Sequence, residues 1–163
     1  MITAINMKKT KRFLLCLAIS LGVGALSSLL IKNAYEFYSA LILPAFAPKA
    51  WVFPVVWTIL YVLMGIASYL VARDGLDKSG VREAIRLYAL NLIFLFLWPL
   101  LFFKFHLVGF SAIWIVLSLV IAAVMAVRFY DIHKAAGGMM GLLVLWILFA
   151  AILNVSIWWL NKA

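Results

Sequence analysis

The chain has 163 residues, 69% hydrophobic and 12% charged, with 14 Lys and Arg against 5 Asp and Glu, and a mean hydropathy of +1.19. A soluble domain is nearer half apolar and a quarter charged, so this composition excludes a water-soluble fold. The net charge of +9 sits in clusters between long uncharged runs, which reads as membrane topology and contact with anionic lipid, not nucleic-acid binding.

A hydrocarbon core of about 30 Å needs ~20 apolar helical residues. Five runs between cations meet that need: 19 residues between Arg12 and Lys32, 23 between Lys49 and Arg73, 17 between Arg86 and Lys104, 23 between Lys104 and Arg128, and 27 between Lys134 and Lys162. They predict an all-α integral membrane protein, a five-transmembrane-helix bundle forming one domain over 1–163. The spans are expected near 13–31, 52–71, 86–103, 108–129 and 139–160. The first run follows Lys8, Lys9, Lys11 and Arg12 as a signal peptide would, but it lacks a clean small-residue cleavage site and is read as a retained span. With five spans, ten Lys and Arg share the N-terminal side and four the other. That imbalance predicts a cell-membrane protein with its N-terminus in the cytoplasm.

Between the first two spans lies "KNAYEFYSALILPAFAPKA". It is too short to span, too apolar for an aqueous loop, and Pro44 and Pro48 bar a long helix. Loop 32–50 is therefore expected to cover the mouth of the bundle. The next loop, 73–86, reads as a polar cytoplasmic connection, and "AAGG" as the end of the fourth. Ser20, Gly24 and Ser28, and again Gly137 with Gly141, have the small-residue spacing that lets helices approach in lipid, for either a homodimer or packing within one chain. Cys16 is alone, and His106 and His133 flank opposite ends of the fourth span, so no disulfide or metal site is expected.

"WVFPVVWTILYVLMG" carries the most information. Trp51, Pro54, Thr58, Tyr61 and Gly65 share a helical face, and their polar groups, costly in hydrocarbon, should point into the bundle. Trp57, aligned with Phe53, Leu60 and Met64, would then meet lipid or a neighbouring subunit. Asn91 in the third span and Asn154 in the fifth each serve either as interhelical glue or as a ligand contact. Trp158, Trp159 and Trp51 suit an interfacial belt; Trp57, Trp98 and Trp146 suit it less. Spans two, three and five could thus wall an aromatic pocket for a planar apolar ligand.

"WVFPVVWTILYVLMGIASYLV" resembles the second-span signature of the TspO/translocator-protein family, the tryptophan-rich sensory proteins. "LPAFAPKAWVFP", "ALNLIFLFLWPLLFF" and "LWILFAAILNVSIWWLN" are similar to its first loop, third span and fifth span. The resemblance implies a membrane receptor, often dimeric, that needs no resident cofactor. It binds protoporphyrin IX or a related porphyrin, and drug-like isoquinoline carboxamides, beneath the first loop. It implies ligand contacts at Trp51, Tyr61, Asn91, Trp146 and Ala150. Alternative activities are transport of tetrapyrroles or light- and oxygen-dependent degradation of bound porphyrin, with Trp51 and Trp146 as electron donors and no conventional catalytic residue. The chain departs from the family pattern at Leu95, where Asn is common, and at Leu142-Leu143, where Pro-Tyr is common. Its fifth span has no Tyr for the sterol motif of mitochondrial members, so sterol binding is not expected.

Overall fold

The computed structural model describes residues 2–73 and 75–162, with side chains from Met7 onward. Five helices are long and apolar enough to cross a membrane: α1 (Ile2–Leu30), α3 (Val52–Ala72), α4 (Val81–Pro99), α5 (Val108–Ile132) and α6 (Lys134–Leu160). A short α2 (Ala34–Ala40) lies in the first loop, and α4 runs on into a π-helical turn, Leu100–Lys104. Helices satisfy every backbone group internally, as hydrocarbon demands. Large apolar side chains such as Leu15, Ile93, Ile113, Val120 and Leu145 remain exposed and form the lipid-facing surface. Small ones, among them Ala67, Ala84, Ala122, Ala136 and Ser118, are buried where helices meet. In lipid, close backbone approach and dispersion hold a bundle together more than hydrophobicity does.

Three predicted starts were late: α1 begins at Ile2, well before residue 13. The third span begins at Val81, not near 86, because Val81, Ala84 and Tyr88 pack inward while Glu83 turns outward to pair with Arg128 at 3.5 Å. The charges there mark the wet face of a helix, not a loop. Gly80, at a φ of +78°, turns the chain into it as only glycine does readily. The last span begins at Lys134, so "AAGG" lies inside α6. Gly137 is pressed against the Tyr130 backbone, while Gly141 faces open space. Of the stripe on α1, Ser20 is buried and Gly24 lies against the Tyr61 ring, packing within the chain, while Ser28 is exposed and the buried serine of that turn is Ser27. At the Leu142-Leu143 pair α6 continues as regular helix.

Candidate functional site: an aromatic cavity under the first loop

α1, α3, α4 and the first loop enclose a cavity of about 430 Å³, within the ordinary range for small-molecule sites. α1 contributes Gly24, Ser27 and Ser28; α3 contributes Phe53, Trp57 and Tyr61; α4 contributes Leu95 and Trp98, and the π turn Phe103. Trp51, Lys32 and Tyr35, all exposed, stand at its rim. Among the described residues Lys32 is the one basic side chain lining it, and no carboxylate does.

Trp57 is the centre of the aromatic wall. Its ring centroid lies 6.0 Å from that of Tyr61, 6.1 Å from Trp98 and 6.5 Å from Trp146. This corrects the outward assignment of Trp57. The inward arc of α3 is its apolar 3–4 series, in which Leu60, Met64, Ala67 and Val71 are buried. The polar-handled face splits. Tyr61 and Gly65 are buried, but Trp51 is 64% exposed and Thr58 faces outward. Thr58 tolerates that position because its Oγ1 donates to the Pro54 carbonyl at 2.7 Å, so no polar group is left bare.

On α4, Pro99 brings no N–H to the helix, and the ladder loosens into the π turn, where the Phe105 N–H reaches the Leu100 carbonyl at 2.9 Å. Such turns recur at functional sites; this one brings Trp98 and Phe103 to one wall. Asn154 holds the Trp98 indole from behind. Its Oδ1 accepts from Trp98 Nε1 at 2.9 Å and from Ser111 Oγ at 3.1 Å, and its Nδ2 donates to the Val108 carbonyl at 2.9 Å. Asn154 is therefore glue for three helices.

The first loop contributes Lys32, Tyr35, Tyr38 and Ala50 to the cavity, with α2 as an element of that roof. The buried Tyr38 hydroxyl donates to the Pro48 carbonyl at 3.0 Å. Burial raises this phenol above its ordinary value, so it stays protonated and remains a donor. At the other end of the roof, Asn161 clasps Ile42, accepting from its N–H at 3.0 Å and donating to its carbonyl at 2.9 Å.

Of the five residues carried over by resemblance, Trp51 and Tyr61 line the cavity and three do not. Asn91 is fully buried facing α5, where its Nδ2 donates to the Ser118 carbonyl at 3.3 Å. Trp146 stands in a second layer, edge-on to Phe53 and Trp57. Ala150 borders a small gap behind Trp98 and Asn154. The correction has one cause: helical spacing gives the face of a residue but not the helix opposite, and the cavity is lined by α1, α3 and α4, with α6 one layer behind Phe53, Trp57 and Trp98. Sequence reasoning missed Gly24, Ser27, Lys32 and Phe103. The signal for Gly24 was the small stripe on α1, and for Phe103 the "WP" that ends α4.

Comparison with known proteins supplies the rest. The TspO/MBR family model matches residues 14–160. The tryptophan-rich protein TspO of Chlorobaculum tepidum is 33% identical over 153 residues, covering 90% of this chain and 94% of that protein. The tryptophan-rich sensory protein of Cereibacter sphaeroides is 35% identical over 141 residues, with coverage of 86% and 85%. The human translocator protein is 30% identical over 144 residues, with coverage of 87% and 85%. A five-span bundle with these relatives belongs to the TspO/MBR family, integral membrane proteins with a receptor or transporter role.

Proposed function

We propose that the chain is a membrane receptor for tetrapyrroles, protoporphyrin IX or a related porphyrin, and that drug-like isoquinoline carboxamides enter the same cavity. The observation that carries this reading is the cavity wall. Four aromatic side chains of α3 and α4, Phe53, Trp57, Tyr61 and Trp98, line one space in which, among the described residues, the only basic or acidic side chain is Lys32 at the rim. A planar conjugated macrocycle gains stacking as well as burial against such rings. A carboxylate on its edge would meet Lys32 and water without being dragged into hydrocarbon. In the cell membrane, with the N-terminus cytoplasmic, the rim opens on the outer side.

The test is a titration of the detergent-solubilised protein with protoporphyrin in the dark, followed by quenching of tryptophan emission. One ligand per chain is expected. Trp57→Ala should weaken binding about tenfold or more, since a lost stacked ring and its buried area are worth roughly 1–3 kcal/mol. Trp146→Phe, in the second layer, should change affinity by less than about threefold. Lys32→Gln should weaken the free acid by about threefold, the scale of an exposed ion pair, and leave the dimethyl ester unaffected. Quenching that never saturates and ignores all three substitutions would mean partition into detergent.

The pairing of Trp57 with Trp98, centroids 6.1 Å apart on one wall, favours a second activity on the same ligand: light- and oxygen-dependent loss of bound porphyrin with an indole as electron donor. Trp57→Phe is expected to keep most of the affinity and slow the bleaching of bound porphyrin under illumination. Equal bleaching of free and bound porphyrin would remove this reading and leave the receptor intact.

A further inference from the structure

The face of α2 turned away from the ligand cavity closes a second space of about 540 Å³. Phe37 and Leu41 form one wall, the 105–107 turn and the first turn of α5 the floor, and the C-terminal end of α6 the far wall. Its chemistry is divided. His106, Asn161 and Lys162 line it beside Leu107, Phe110 and Trp158.

Topology fixes its depth. Lys104 ends the π turn, Val108 begins α5 and Leu160 ends α6, so this groove lies where three chain segments pass the headgroup level. Charge on this face is one-sided. Among the described residues Lys32, Lys49, Lys104 and Lys162 stand against Glu36 alone, because Asp77, Glu83 and Asp131 belong to the opposite end of the bundle. Glu36 is exposed and does not line the groove.

The two cationic or donor side chains are held in place. Lys162 Nζ lies 2.9 Å above the Trp159 ring centroid and 5.9 Å from that of Trp158, a cation–π arrangement that steadies the ammonium. The His106 imidazole stacks on Phe37 at 4.1 Å and 13°, on a φ of +55° that residues other than glycine seldom adopt. An imidazole lying flat on a phenyl ring presents its nitrogens at the ring edge.

We propose that this groove binds one anionic phospholipid, with its phosphate between Lys162 and His106 and an acyl chain along Leu107, Phe110 and Trp158. Inorganic phosphate would answer the cations but leave the apolar wall uncovered. A phosphocholine headgroup would bring a second cation against Lys162. The bound lipid braces α2 against the end of α6, beside the Asn161 clasp on Ile42, and so ties the roof of the ligand cavity to the headgroups of the surrounding membrane.

Native mass spectrometry of the delipidated full chain, titrated with phosphatidylglycerol, phosphatidylcholine or inorganic phosphate, tests this without any porphyrin. One phosphatidylglycerol is expected to bind saturably, and neither of the other probes should displace it at equal concentration. Lys162→Gln should weaken it about fivefold, the effect of one basic side chain at an anionic surface, and Lys162→Gln with His106→Gln further. Lys8→Gln, at the opposite end of the bundle, should change nothing. Hydrogen exchange over residues 34–43 should slow with phosphatidylglycerol in the parent chain and not in Lys162→Gln. Equal retention of phosphatidylcholine, equal loss in Lys8→Gln, or displacement by inorganic phosphate would each overturn the assignment.

Discussion

Asn154→Ala is expected to cost about 2–3 kcal/mol of stability in detergent and to weaken porphyrin binding although Asn154 does not line the cavity. Three hydrogen bonds are lost, but their consequences differ. The one Ser111 O–H also lies within reach of the Val108 carbonyl, 2.8 Å away, and turns to it when the amide is gone, so both groups keep a partner. Only the Trp98 indole N–H is orphaned. Interhelical hydrogen bonds in membranes average about 0.6 kcal/mol each, whereas a buried donor left unpaired costs roughly 1–3 kcal/mol; the indole therefore dominates. That makes a specific coupling. In a Trp98→Phe background, where no N–H remains to orphan, Asn154→Ala should cost about half as much. Additive single effects in denaturation titrations would show that Asn154 acts only by filling space. Loss of ligand affinity follows because Trp98, released from Asn154, no longer holds its ring against Trp57.

That network also shows where the sequence stops being legible. The five spans were readable because Lys and Arg are excluded from hydrocarbon and so mark each run's ends. The expected start of α4 falls too late because the same rule is too strict there: Arg82, Glu83 and Arg86 lie on one side of a helix whose other side, Val81, Ala84 and Tyr88, is buried. On α3 the polar handles suggested the inward face, but Thr58 is satisfied by its own helix and Trp51 sits at a helix end. The apolar series through Met64 and Val71 was the better guide. Asn154 was recognisable as a residue in need of partners. Its partners, Trp98, Ser111 and Val108, belong to two other helices, and no periodicity along one segment reports which segments meet. For the same reason the sequence groups Asn91, Trp146 and Ala150 with Trp51 and Tyr61, although Asn91 faces α5, Ala150 borders the gap behind Trp98, and Trp146 stands one layer back against Phe53 and Trp57.

The contact between α1 and α3 gives the second large effect. α1 exposes Leu14, Leu15, Ile19, Leu26 and Leu29 to lipid and is seated through small residues. A methyl group on Gly65 would stand 2.7 Å from Ser20 Oγ and 2.9 Å from the Leu17 Cα. The second of these is backbone and cannot rotate away, so the helices must separate. Gly65→Ala is therefore expected to destabilise the bundle by about 1–3 kcal/mol, against the gain of up to about 1 kcal/mol that alanine brings to a helix interior. Gly22→Ala supplies the control: nothing lies within 4 Å of its added Cβ, so only the helix gain remains and the sign reverses. The functional readout should follow the steric one. α1 provides Gly24, Ser27 and Ser28 to the cavity wall, and displacing it opens the site along a whole side. In Gly65→Ala the dark titration should show affinity lost together with stability, while Gly22→Ala keeps both. If the two alanines behaved alike, the close approach of α1 to α3 would not be what shapes the cavity, and its wall would have to be sought among α3 and α4 alone.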